Sequence, residues 1–255
     1  TGASTLGVQV GSAVPQFRQI MVMVAMDPAG TFNAGNRPTV TDTRGNAYTL
    51  AREANNRNNS DLNGVRTYVF HGLASTALQA GDYVNIAFKA GATPNAKAAI
   101  VASFDGLLRQ TTSVVDRSAS AVLDNSGNVA SASSGNLRRQ WELVLVAYAV
   151  ESDGTETLTP NGDFNSGHLG GVTAATAGDA SDSNVSIRFA WREASTLPLA
   201  GYTAGGTLSA GITDSATAIA TFNAAPAKTV FSAPPASITA GTCTALTLEM
   251  RNNLP

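Results

Sequence analysis

The feature that most limits this chain is the alternation of its apolar residues. They recur at every second position in short runs separated by Gly, Asn, Asp and Ser, and no window carries an i, i+3, i+4, i+7 apolar stripe capped at both ends. A period of two sends successive side chains to opposite faces of an extended strand, so such a chain buries apolar atoms only by stacking sheets. Residues 18–26 (RQIMVMVAM) are apolar on both alternating faces, which predicts a central strand covered on both sides. Between 38–43 and 47–52, Arg44-Gly45-Asn46 reads as a hairpin turn in which Gly and Asn supply positive φ. Further strands are predicted over 65–73, 83–89, 96–105, 142–150, 185–192, 207–210 and 216–222. Within 185–192, Val185, Ile187, Phe189 and Trp191 are expected to face inward, and Ser186, Arg188, Ala190 and Arg192 outward. The polar stretches 54–64, 124–136 and 170–184 read as long surface loops.

The fold expected is all-β: an antiparallel two-sheet β-sandwich of jelly-roll type with a C-terminal extended arm. Its domain covers 1–222. Residues 223–255 are an extension, either an arm or added strands, because Pro226, Pro234 and Pro235 interrupt ladder pairing and the segment is too short for its own core. Composition narrows the function. A net charge of -2 gives no electrostatic footprint for nucleic acid or an anionic membrane. Charged residues make up 13% of the chain and hydrophobic residues 43%, which excludes acidic disorder and coiled coil. No run approaches the roughly 20 apolar residues that a spanning helix needs, so no membrane insertion is expected. A single cysteine, Cys243, excludes an intrachain disulfide and reads as a small packed residue.

Residues 40–50 (VTDTRGNAYTL) resemble the DxxGNxYT hairpin of a jelly-roll, concanavalin-like sandwich module of phage virion proteins and bacterial secreted surface proteins. Residues 98–106 (AAIVASFDG), 141–148 (WELVLVAY) and 186–222 are similar, in the same order, to that module's alanine-rich strand, its next apolar strand and its closing strands. The resemblance covers about residues 15 to 222 and rests on turn and core positions, so it implies a fold and no activity. The setting it implies is a virion surface or the extracellular space.

The search for chemistry is mostly negative. His71 and His168 with one cysteine do not make the three or four supported ligands that zinc requires. No G-x-S-x-G elbow and no G-x-G-x-x-G or P-loop pattern occurs. Glycoside hydrolysis needs two carboxylates roughly 5–10 Å apart on one face. Glu151 and Asp153 have i, i+2 spacing but sit at a strand end before Gly154, and Glu142 and Glu193 are each alone in their strands. A second carboxylate beside Glu142, Glu151 or Glu193 in a groove would mark a hydrolase. The oxygen-rich run Asp179 to Asn184 lacks the EF-hand's Gly and terminal Glu, so it reads as a turn and not a calcium loop. Phe189 and Trp191 are assigned to the core, and Tyr83 and Tyr202 are the surface aromatics suited to stacking on a sugar.

The expectation is therefore no catalytic residue, no cofactor and no metal. The function expected is a non-enzymatic structural or accessory surface protein, in first place a phage virion component (capsid decoration or tail protein) acting through protein–protein contacts. Its partners would be copies of itself or virion or filament neighbours. The alternative is a secreted carbohydrate-binding adhesion module with a surface glycan as ligand.

Overall fold

A strand that is apolar on both faces needs a layer above and a layer below. β2 (Gln19–Met26) has both, and every one of its residues is buried. In the computed structural model the described residues are 4–57, 64–152, 156–164, 168–175, 184–194, 201–209, 211, 213–225, 229–231, 245–247 and 250–252. The first outer sheet has the order β1 (Thr5–Gln9), β6 (Tyr83–Ala87), β3 (Thr39–Asp42). Against it lies a broad sheet of β17 (Ala245–Thr247), β7 (Lys97–Phe104), β2, β5 (Gly64–Leu73) and β4 (Tyr48–Arg57). A second broad sheet contains β12 (His168–Ala175), β13 (Asn184–Ala194), β10 (Glu142–Val150), β15 (Thr213–Asn223) and β8 (Val115–Ser126). The other outer sheet is β11 (Leu158–Gly162), β14 (Thr203–Leu208), β9 (Asn128–Ser133). β16 (Thr229–Phe231) and β18 (Met250–Asn252) form a separate antiparallel pair.

Three apolar cores separate these four layers. Met21, Met23, Ile100 and Phe104 of one broad sheet meet Leu145, Phe189, Trp191 and Phe222 of the other in the middle core. The opposite face of β2, with Ile20, Val22 and Val24, packs on Val8, Val84 and Ile86 of the first outer sheet. On the far side Val144, Val146, Tyr148 and Ile219 pack on Val129, Leu158 and Ala204. The continuous apolar runs of β2 and β10 follow directly, because each strand serves two cores.

The described residues are all-β and, apart from the β17–β7 pair, the strands pair antiparallel, as expected, but the sheets stack four deep and not two. The faces of β13 change accordingly. Ser186 and Ala190 are buried, and Arg188 and Arg192 are half-buried, because the last outer sheet covers the side expected to meet water. The turn Arg44-Gly45-Asn46 is a corner, not a hairpin: β3 pairs with β6 and β4 pairs with β5, in different sheets. Two of the expected loops contain strand. Residues 124–136 hold the end of β8 and all of β9; of 170–184, residues 170–175 belong to β12 and Asn184 opens β13, while 176–183 lie outside the described residues. The stretch 54–64 is β4 and β5 at its ends, and its centre, 58–63, lies outside the described residues.

At the C-terminal end, β15 runs through Asn223, whose backbone N–H donates to the Val114 carbonyl at 2.7 Å, and Ala224 bridges to Leu107. Beyond it, β17 pairs in parallel with Val101 to Ser103 of β7.

Candidate functional site

Residues 42–48 form a structural corner. Gly45 has φ 76°, which lets the chain turn out of β3. The Asp42 carboxylate then accepts from the Arg44 N–H (2.9 Å), the Asn46 N–H (3.0 Å), Asn46 Nδ2 (2.9 Å) and the Tyr48 hydroxyl (2.9 Å). Asn46 Oδ1 accepts from Ser75 Oγ and the Thr76 N–H, both at 2.8 Å, which locks the corner to the segment after β5. Burial together with Asp42 drives the Tyr48 hydroxyl pKa far up, so it stays a donor. The polar side chains of this motif are thus engaged within the fold.

Tyr83 and Tyr202 do not share a surface. Tyr83 lies on the first outer sheet, 41% exposed, with its ring against Gly7. Tyr202 packs on the third core beside the last outer sheet, with the Arg192 guanidinium 5.1 Å from its ring centre. Three sheet-to-sheet spacings of about 10 Å separate those layers, so the two rings cannot stack on one sugar. Phe189 and Trp191 are core residues, with the edge of one ring against the face of another where Trp191 meets Phe104 at 5.9 Å. Trp141 takes φ 66° just before β10.

Among the carboxylates, Glu142 has an acidic neighbour that the sequence did not suggest: Asp116, in β8. Glu142 is 1% exposed, and burial foremost, with Asp116 adding, raises its pKa so that it favours the neutral acid. Asp116 accepts the Arg138 N–H at 2.8 Å, and the Arg117 and Arg138 guanidinium groups each stand 3.9 Å from its carboxylate. Both carboxyl side chains are withdrawn from solvent, with the two guanidinium groups beside Asp116. Glu151 Oε2 accepts the Gly64 N–H at 2.8 Å, which ties β10 to the start of β5. Glu193 is half-buried, and burial raises its pKa. Asp153, Asp179 to Ser183 and Cys243 lie outside the described residues, and Asn184 opens β13.

His71 and His168 belong to different broad sheets. His71 is buried, its ring edge-on to Phe222 at 5.8 Å, and burial holds its pKa down at about 4. Such a ring is a neutral core residue. Among the described residues no group of three or more His, Cys, Asp or Glu side chains comes together to hold a metal.

An open groove of about 490 Å³ runs between the edge strands β4 and β8, lined by Phe32, Leu50, Arg52, Glu53, Ser120 and Val122. Arg52 Nε and Nη2 donate to Ser120 Oγ at 3.0 and 2.8 Å across it, and Arg37 pairs with Glu53 on its rim. Its lining combines the Arg52–Ser120 and Arg37–Glu53 pairs with the apolar side chains of Phe32, Leu50 and Val122, and neither Glu142 nor His71 lines it. Comparison with family models, with curated proteins and with solved structures finds no match to this chain.

Proposed function

We propose that the protein is a non-enzymatic structural or accessory surface component that acts through protein–protein contacts, with a phage-type virion, as capsid decoration or tail protein, as its setting. The observation that carries this reading is the fate of the polar groups. Several described ones are built into the scaffold: Asp42 and Asn46 in a corner, Glu151 on a strand end, His71 in the core and Glu142 with Asp116 beside two arginines. What remains for the solvent is a stiff four-layer block, suited to bearing load and meeting neighbours.

The finer fold reading, a jelly roll, is supported by nested antiparallel pairs. β4 pairs β5, β3 pairs β6 and β2 pairs β7, the pattern of a long hairpin rolled up. The C-terminal segment serves in this reading as the assembly arm, since β17 already adds a strand to an edge of the sheet. The test is light scattering with electron microscopy of the full chain beside a chain ending at Ala225. Ordered oligomers that require the residues after 225 support the proposal. A monomer that binds a glycan array, and loses that binding on Tyr83→Ala, would replace it with the adhesion-module reading.

A further inference from the structure

The two halves of the chain repeat each other. When each strand from β1 to β7 is replaced by its counterpart from β9 to β15, the order β1-β6-β3 becomes β9-β14-β11, and β7-β2-β5-β4 becomes β15-β10-β13-β12. Both substituted orders are those of the second half. Registers agree as well as orders. Met21 stands opposite His71 and Ala102, and its counterpart Leu145 stands opposite Trp191 and Ala220. These registers, with those of β4–β5 and β12–β13, align identical residues at Val22 and Val146, Ala25 and Ala149, Val65 and Val185, Ala102 and Ala220, and Phe104 and Phe222.

Details outside the ladders match too. Phe17 and Trp141 hold equivalent places ahead of β2 and β10 with φ of 71° and 66°, a backbone region that bulky residues rarely enter. Phe17 donates its N–H to the Ala74 carbonyl at 2.8 Å, and Trp141 donates to that of the equivalent Ala194 at 2.9 Å. At the other end of the strands the Asp27 N–H donates to Ala96 and the Glu151 N–H to Asp214, both at 3.0 Å. Neither strand propensity nor chance packing calls for the same strained aromatic and the same off-ladder bonds twice.

The contact between the halves is reciprocal. Phe104 meets Trp191 edge-on at 5.9 Å, and Phe222 meets His71 edge-on at 5.8 Å. Phe104 is the counterpart of Phe222 and Trp191 of His71, so contact i to j returns as j to i. That is the mark of a self-complementary, two-fold interface. Each broad sheet also carries one added edge strand outside the repeat, β8 antiparallel beside β15 and β17 parallel beside β7.

We propose that the chain is an internal dimer: two copies of one seven-stranded sandwich, whose broad-sheet face is an association surface for a second copy of the same sandwich and holds without the covalent link. The inference is independent of the virion reading. The test uses the full chain with a protease site inserted in the exposed loop between Gln110 and Ser113, cut after folding. The two fragments are expected to travel as one particle of intact mass in native mass spectrometry at micromolar concentration. Their melting temperature should become dependent on concentration, as that of a bimolecular complex does. The same cut in a chain ending at Ala225 should give the same result, which shows that β17 is not the tether. Fragments that separate, or a loss of β signal on cutting, would overturn the proposal. If the insertion itself blocks folding, a cut at Gly127, between β8 and β9, is judged by the same outcomes.

Discussion

Single side chains in this protein act mainly by what burial does to them. Asp42 is 8% exposed and accepts four hydrogen bonds, so Asp42→Ala strands several donors at once. A loss of roughly 2–4 kcal/mol is expected in urea denaturation, and Asp42→Asn, which keeps one acceptor oxygen for the two backbone N–H groups, should lose less. His71 and Glu142 predict a pH dependence with opposite signs. His71 titrates at about 4 in the fold against about 6.5 in the unfolded chain, so its contribution is complete above the unfolded value and is lost as pH falls from there towards 4. Glu142 is raised, so the folded state holds its proton longer than the unfolded chain does, and stability falls as pH climbs past the ordinary carboxylate range. In thermal melts, His71→Phe should gain on the wild type as pH drops to 5, and Glu142→Gln should gain as pH rises to 8. Each gain should shrink at the opposite end of the range. A flat difference for either variant would mean that the group does not titrate in the fold as its burial requires.

At the scale of elements, two glycines separate conformational from steric need. Gly45 has φ 76° and open space where a Cβ would stand, so Gly45→Ala costs only the left-handed backbone, about 1 kcal/mol. A Cβ on Gly72 would stand 2.7 Å from the Ala47 carbonyl and 2.7 Å from the Tyr48 ring, against a corner that Asp42 and Asn46 fix in place. Gly72→Ala should therefore cost more, roughly 1–3 kcal/mol, in the same denaturation series. Bulky strands were legible from sequence: 142–150 is β10 to the residue, and 65–73 is β5 within one residue. β8 was not, because RSASA offers small side chains, Ala119 and Ala121 towards the third core and Ser120 towards Arg52, with too little contrast to register as alternation. The corner was misread for a related reason. Gly45-Asn46 satisfies the backbone of a hairpin, and only the ladders to β6 and β5, far along the chain, place β3 and β4 in separate sheets. Asp116 beside Glu142 escaped for the same cause, since their proximity exists only once β8 and β10 flank β15.

In the whole molecule, the three cores differ in what they join. The first draws only on residues from Leu6 to Val101 and the third only on residues from Ala119 to Ile219, whereas the middle core draws on both halves. A cavity in the middle should therefore weaken the whole, and one outside should loosen its own sheet. Leu145→Ala removes a fully buried side chain from the shared core and is expected to cost about 2–5 kcal/mol. Calorimetry should still record one endotherm, moved down in temperature, because neither half keeps its broad face covered once the other opens. Val84→Ala lies in the first outer core, so hydrogen exchange should quicken in β1, β3 and β6 while β10 and β13 keep their protection. If Leu145→Ala instead split the endotherm in two, the halves would be stable sandwiches that merely touch, and the middle core would be a contact and not the centre of the fold.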